Sequence, residues 1–306
     1  MLRSLYSGIS GLRAHQTMMD VTGNNISNVN TVGYKTAQTI FQDTLSQLVA
    51  TAGKPQVDAS VAPPVPVRGG INAAQIGLGV KLADITNNFR QGSTQMTGRG
   101  EDVMINADGF FLVNEPSGTL YTRSGAFKFD ANGNLVTPTG AFVQGYPPAP
   151  AGGVTVPPNP PGGGLVNMTL NPDPALLFPP IPVTTPPTAM TSYTISATGE
   201  LIGGFSDGEK RTLGQIAMAT FANPGGLEKA GNSNYRADQG VTGLADVGLA
   251  GTGQRGTITS GALEMSNVDL AQEFTNLIVA QRGFQSNARV ITTSDELLQE
   301  LVNLKR

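Results

Sequence analysis

A stepping of three and four residues, repeated at both ends of a 306-residue chain, constrains this fold more than any other feature. At the N-terminus Leu2, Leu5, Ile9, Leu12, Gln16, Met19, Gly23 and Ile26 fall on it. At the C-terminus Leu270, Phe274, Leu277, Gln281, Phe284, Ala288 and Ile291 do the same, with a continuation through Leu298 and then Leu301 or Val302. That spacing is the a/d seam of a helix that packs through one narrow edge. A globular core wants a broader apolar face. The pattern therefore predicts two amphipathic helices at opposite ends of the chain. They pack on each other as an antiparallel hairpin, or on each other and on neighbouring chains as well. Short helices are marginal alone in water, so ends of this kind are expected to order when partners arrive.

The first helix is expected to stop near Asn24 or Asn25, because asparagine favours turns over helix interiors. Beyond it the stretch "NNISNVNTVGYK" holds Asn24, Asn25, Asn28 and Asn30, then Gly33 and Tyr34. The asparagine amides are expected to cap freed backbone groups, Gly33 to supply a positive φ, and Tyr34 to anchor the exit by packing. For the second helix, Ser266 with Asp269 three residues on resembles a capping box.

The middle reads as strands and tight turns. Residues 102–146 and 192–227 alternate short β-prone runs with Asp108-Gly109, Ser117-Gly118, Asn132-Gly133, Thr198-Gly199 and Asp207-Gly208, all hairpin-type dipeptides. Residues 147–187 hold 14 of the 21 prolines and a single charged side chain, Asp173. Such a stretch sustains neither ladder nor helix, so it is a linker or a small surface flap. Residues 44–75, also tinged with glycine and proline, read as loop. The domain organisation expected is a helical pair from 1–35 and 264–306, a transition at 36–75, a β-rich domain from 76–146 and 192–263, and an insertion at 147–191.

Composition excludes several functions. Charged residues are 13% of the chain and the net charge is −3, without the clustered basic face that nucleic acid or an anionic membrane requires. No cysteine is present, which removes thiol chemistry and disulfides. No run of 18 apolar residues predicts a membrane span. The opening residues carry no continuous apolar stretch and no small-residue cleavage site, so the chain is expected to stay inside the cell or to leave by a route without a cleaved signal.

Motifs for chemistry fail on context. "GTGQRG" (251–256) has the dinucleotide spacing but no parallel βαβ surroundings. "DANGNLVTPTGA" (130–141) puts Leu135 and Ala141 where a calcium loop needs glycine and glutamate. His15 is the single histidine and has no acidic or histidine neighbour at helical spacing. Neighbouring Glu101 and Asp102 point to opposite faces of a strand. No catalytic residue, metal site or cofactor is expected.

The ends carry a resemblance. "GISGLRAHQTMMDVTGNNISNVNTVGYK" and "GALEMSNVDLAQEFTNLIVAQRGFQSNARVITTSDELLQELVNLKR" resemble the terminal signatures of the bacterial flagellar rod and hook proteins. "DGFFLVNEPSGTLYTRSGAFKFDANGNLVTPTGAFVQGY" is similar to that family's β domain. Within the family, "NLIVAQRGFQSNARVITTSDELL" resembles the hook protein more than the distal rod protein. The resemblance implies an inner helical domain lining a tube, a β domain outside it, and the insertion outermost. It implies a structural subunit of the hook, a self-assembling universal joint that carries torque. The distal rod, a rigid shaft, is the alternative within the family; a secreted β-rich adhesin is the alternative outside it. The implied partners are further copies of the chain, other axial proteins (rod, hook cap, hook–filament junction) and the export apparatus, with export to the flagellum outside the cell and no cleaved signal.

Overall fold

The computed structural model describes residues 2–58, 65–147, 164–170 and 190–304. Three α-helices are present among them: α1 (Leu2–Ser27), a single turn α2 (Gln239–Thr242) and α3 (Leu270–Leu304), with antiparallel strands between the long ones. The fold is therefore mixed α and β, terminal helices around a β-rich middle, as the sequence predicts. The chain divides into two compact units. Residues 1–26, 37–86 and 270–306 form the first; residues 27–36 and 87–269 form the second.

The first unit contains α1, α3 and six strands: β1 (Ala37–Asp43), β2 (Ser46–Ala50), β3 (Gln56–Asp58), β4 (Val65–Arg68), β5 (Ala74–Gly77) and β6 (Val80–Asn87). They pair as β1 with β6, β2 with β5 and β3 with β4, so the segment is one long two-stranded ribbon. The expectation of loop at 44–75 is thus corrected. Every residue of β2 and β5 is exposed. A ribbon open on both faces needs no alternation of apolar and polar side chains, the pattern by which a half-buried strand shows in a sequence.

The second unit is built on the strand Lys210–Thr220, which pairs with Phe110–Glu115, Glu200–Phe205, Phe142–Tyr146 and Asp246–Leu249. Successive side chains of a strand point to opposite faces, and here both faces are covered. Leu213, Ile216 and Met218 join Phe111 and Val113 in one cluster. Ala217 and Ala219 join Phe110 and Leu112 in the other. Each large apolar side chain buried in this way is worth about 1.5–3 kcal/mol. Phe110 packs edge-on to Phe89, Phe221 and Tyr235, and Phe111 to Phe127.

The five turn dipeptides each place glycine at positive φ. Four of them join strands that pair with each other. Asp108-Gly109 does not. It hands the chain from Val103–Asn106, which pairs with Thr257–Ser260, to Phe110–Glu115 in the large sheet.

The reading of the proline-rich insertion falls mostly outside the described residues. Its described part, 164–170, adds the strand Val166–Asn167 to the edge of Phe142–Tyr146 and buries Met168 in the larger core cluster.

Candidate assembly surface

α1 and α3 run antiparallel, and their contacts fix the register. Ser4 and Ser294 hydroxyl oxygens lie 3.4 Å apart. A Cβ placed on Gly8 would sit 3.3 Å from Ile291, one on Gly11 2.8 Å from the Asn287 amide, and one on Gly283 2.5 Å from the His15 ring. The Asn25 amide donates to the Glu273 carboxylate at 3.2 Å. Residue numbers fall along α3 as they rise along α1. On the α1 side the seam is made of small and polar residues, and Ala14 and Ala280 are also buried. Glycine inside a helix costs roughly 0.5–1 kcal/mol against alanine; here it lets the two backbones approach closely.

On α1 this seam is not the apolar stripe read from the sequence. On α1 it runs through 4, 8, 11, 15, 22 and 25, one position behind the stripe at 5, 9, 12, 16, 19, 23 and 26. One residue is about 100° around a helix. Leu5, Leu12, Met19 and Ile26 are consequently half-buried beside the seam, and Ile9 is exposed. Leu2 lies in the first turn of α1, its side chain outside the described residues. On α3, Leu277, Phe284, Ile291 and Leu298 occupy half-buried positions at the seam's spacing. Leu270 and Phe274 face outward, 40% and 50% exposed, and so do Ile278, Val279 and Leu301. Leu270, Phe274 and Ile278 follow one another at about one helical turn and are all exposed. A groove of about 410 Å³ also opens between α1 and β6, lined by Tyr6, Ile9, Arg13, Val80, Lys81 and Leu82 among others.

The turn after α1 is built by fewer residues than expected. α1 continues to Ser27, past Asn24, which is exposed. Asn25 is buried, and its amide behaves as a piece of main chain: Nδ2 donates to the Ala37 carbonyl at 2.8 Å, and the Ala37 N–H donates to Oδ1 at 3.1 Å. Asn28 closes the next turn, its Oδ1 accepting from the Thr31 hydroxyl at 3.0 Å and its carbonyl from the Thr31 N–H at 3.1 Å. Asn30 is exposed. Gly33 has φ +69°, and a Cβ there would lie 2.7 Å from the Ser124 nitrogen, so both backbone conformation and space demand glycine. Its N–H donates to the Glu264 carbonyl at 2.8 Å. The Lys229 ammonium sits 4.9 Å from the centre of the Tyr34 ring.

Sequence reasoning missed the residues that hold this turn down. Lys35, fully buried, donates to Glu264 Oε1 at 2.6 Å and to the Arg90 carbonyl at 2.8 Å. Glu264 also accepts from the Gly92 N–H at 2.9 Å and, through Oε2, from Arg123 Nη1 at 3.4 Å. Arg123 lies over the Phe110 ring and donates to the Ala107 carbonyl. Burial pushes the Lys35 pKa below its ordinary value, although Glu264 pulls the other way; burial also lowers that of Arg123. Two cations thus share one carboxylate in the interior. Charged side chains are almost never fully buried unless paired, and no local pattern in the sequence marks these three as partners.

The discounted motifs have structural explanations. Gly251 and Gly253 take positive φ in a turn, and Arg255 beside them pairs with Asp246 at 2.7 Å. Asp130 accepts from the backbone of Asn132 and Asn134, which folds that loop on itself. Among the described residues no group of three or more potential metal ligands occurs, and no helix is long and apolar enough to cross a membrane.

Three stretches match family models: residues 5–35 the flagella basal body rod protein, 104–203 the flagellar hook protein FlgE/F/G D1 domain, and 259–304 the flagellar basal body rod FlgEFG protein C-terminal segment. A flagellar basal-body rod protein FlgG of Bacillus subtilis is 42% identical over 306 residues, the whole of both chains. In Borreliella burgdorferi the FlgG rod protein is 35% identical over 308 residues and the FlgE hook protein 32% over 453, in both cases covering the whole of both chains.

Proposed function

Because the chain belongs to the family of flagellar hook and basal-body rod proteins, structural subunits of the flagellar axis and not enzymes, we propose that it builds the distal rod. One observation carries the choice. The match to rod proteins runs end to end with almost no insertion, over 306 and 308 residues, whereas the match to the hook protein needs 453. The hook-like wording of α3, on which the sequence reading leaned, lies in the part of the chain that both kinds of protein share and does not discriminate between them.

On this reading many copies join by a contact between unlike patches, which does not close and so builds an open helical tube. α1 and α3 form the inner layer. Their outward apolar residues, Leu270 and Phe274 with the flank of Leu5, Ile9, Leu12, Met19 and Ile26, bury against neighbouring copies, while Leu277, Phe284, Ile291 and Leu298 also support the pair itself. Asn25, Asn28, Gly33 and Tyr34 pass the chain to the β-rich layer. The ribbon β1–β6, with Leu45, Leu48 and Val49 exposed, lies across other copies and stiffens the shaft. The partners are further copies of this chain and the axial proteins above and below it; the chain leaves the cell by the flagellar export route. Electron microscopy of basal bodies from cells lacking the chain tests the assignment. Truncated rods and, from purified protein, straight tubes are expected. Complete rods that lack only the hook, with curved polymers, would assign the chain to the hook.

A further inference from the structure

We propose that the last two turns of α3 are a plug that seats in the α1–β6 groove of the next copy of this chain. The inference rests on the axial-assembly reading and specifies one of its contacts. Ser4 lies opposite Ser294 and α1 begins at Leu2. Residues 297–304 therefore run past the start of α1, an overhang of about 12 Å. Leu297, Leu301 and Leu304 step by four and three and share a face; they are 53%, 51% and 82% exposed. Asp295, Glu296 and Glu300 border them, all exposed.

The groove has the opposite character. Its apolar lining comes from Tyr6, Ile9, Val80 and Leu82, with Tyr6 71% exposed. Its rim carries exposed Arg13 and Lys81. Apolar anchor meets apolar groove, and an acidic border meets a basic rim, which fixes orientation as well as attraction. The overhang does not serve its own groove. α3 runs antiparallel to α1, so its end leads away from the stretch Tyr6–Thr17 that lines the groove. A second copy is the occupant that places this helix end there. Plug and groove are different patches of one molecule, so the contact repeats without closing.

Charge reversal tests this in the full chain, read by sedimentation and electron microscopy of the polymer. Glu296→Lys with Glu300→Lys, and separately Arg13→Glu with Lys81→Glu, should each raise the concentration needed for polymer about tenfold. An equimolar mixture of the two altered chains should polymerise to within about threefold of the parent, because each plug then meets a groove of opposite sign. Circular dichroism of the unpolymerised chains establishes that helix content is kept. Should a reversal cost helix, the milder Glu296→Gln with Glu300→Gln replaces it, with a rise of about threefold expected. Reversed chains that polymerise like the parent, or a mixture that stays as poor as its components, would overturn the contact and leave the axial reading standing. A parent chain that forms no polymer at all would remove the axial reading itself.

Discussion

Strand Phe110–Glu115 buries Phe110 and Leu112 on one face and Phe111 and Val113 on the other, whereas β2, Ser46–Ala50, buries nothing on either. The same contrast separates the two units. The second closes its apolar surface inside two clusters, with aromatic rings packed edge to face and a charge cluster sealed between Lys35, Arg123 and Glu264. The first spends its closest contacts on glycine and serine and turns phenylalanine, isoleucine and leucine outward. An isolated two-stranded ribbon is marginally stable at best. One unit carries its own stability. On the assembly proposed above, the other is completed by neighbouring copies.

Substitutions can break that comparison, beginning with the largest effect. Phe111→Ala should cost about 3–5 kcal/mol in the denaturant unfolding of the second unit. A loss below about 1 kcal/mol would mean that the cluster is not the source of its stability. Lys35→Ala should cost about 1–3 kcal/mol, since it removes one buried and one part-buried hydrogen bond while Arg123 still compensates Glu264. Lys35→Met, which keeps the stem, should cost less. The pH dependence has a defined sign. The Lys35 pKa is lowered in the fold from 10.5, so the unfolded chain binds more protons between the folded value and 10.5. Raising the pH through that window should stabilise the parent relative to Lys35→Met. Equal slopes for the two proteins, in urea melts at successive pH values, would contradict the burial described.

What the sequence displayed and what it hid follow the same division. The terminal helices, the glycine turns and the β-rich middle were all legible, because each depends on local spacing or on a dihedral that few residues adopt. The packed edge of α1 was not. Periodicity registers large apolar side chains, and this edge is defined by their absence at Gly8 and Gly11. The partnership of Lys35 with Glu264 spans 229 positions, and no local pattern reports it. The ribbon lacked alternation because it lacks an inside.

Smaller effects sharpen the comparison. Gly33→Ala should cost about 1–2 kcal/mol from the strained φ and move the Tyr34 resonance in a nuclear magnetic resonance spectrum. An unchanged melting curve would contradict the positive-φ requirement at this position. Phe274→Ser together with Ile278→Ser should change the unfolding free energy by no more than about 0.5 kcal/mol, yet reduce polymer mass sharply. Intact polymer from that pair would place the assembly surface elsewhere.

The Asn25 amide holds both the carbonyl and the N–H of Ala37, and this clasp sets a gauge. Everything strung between the two clasped points has a fixed tally of links. Gly33 and Lys35 hold their own places within it, and adding or dropping a link would drag the buried amide off its mark.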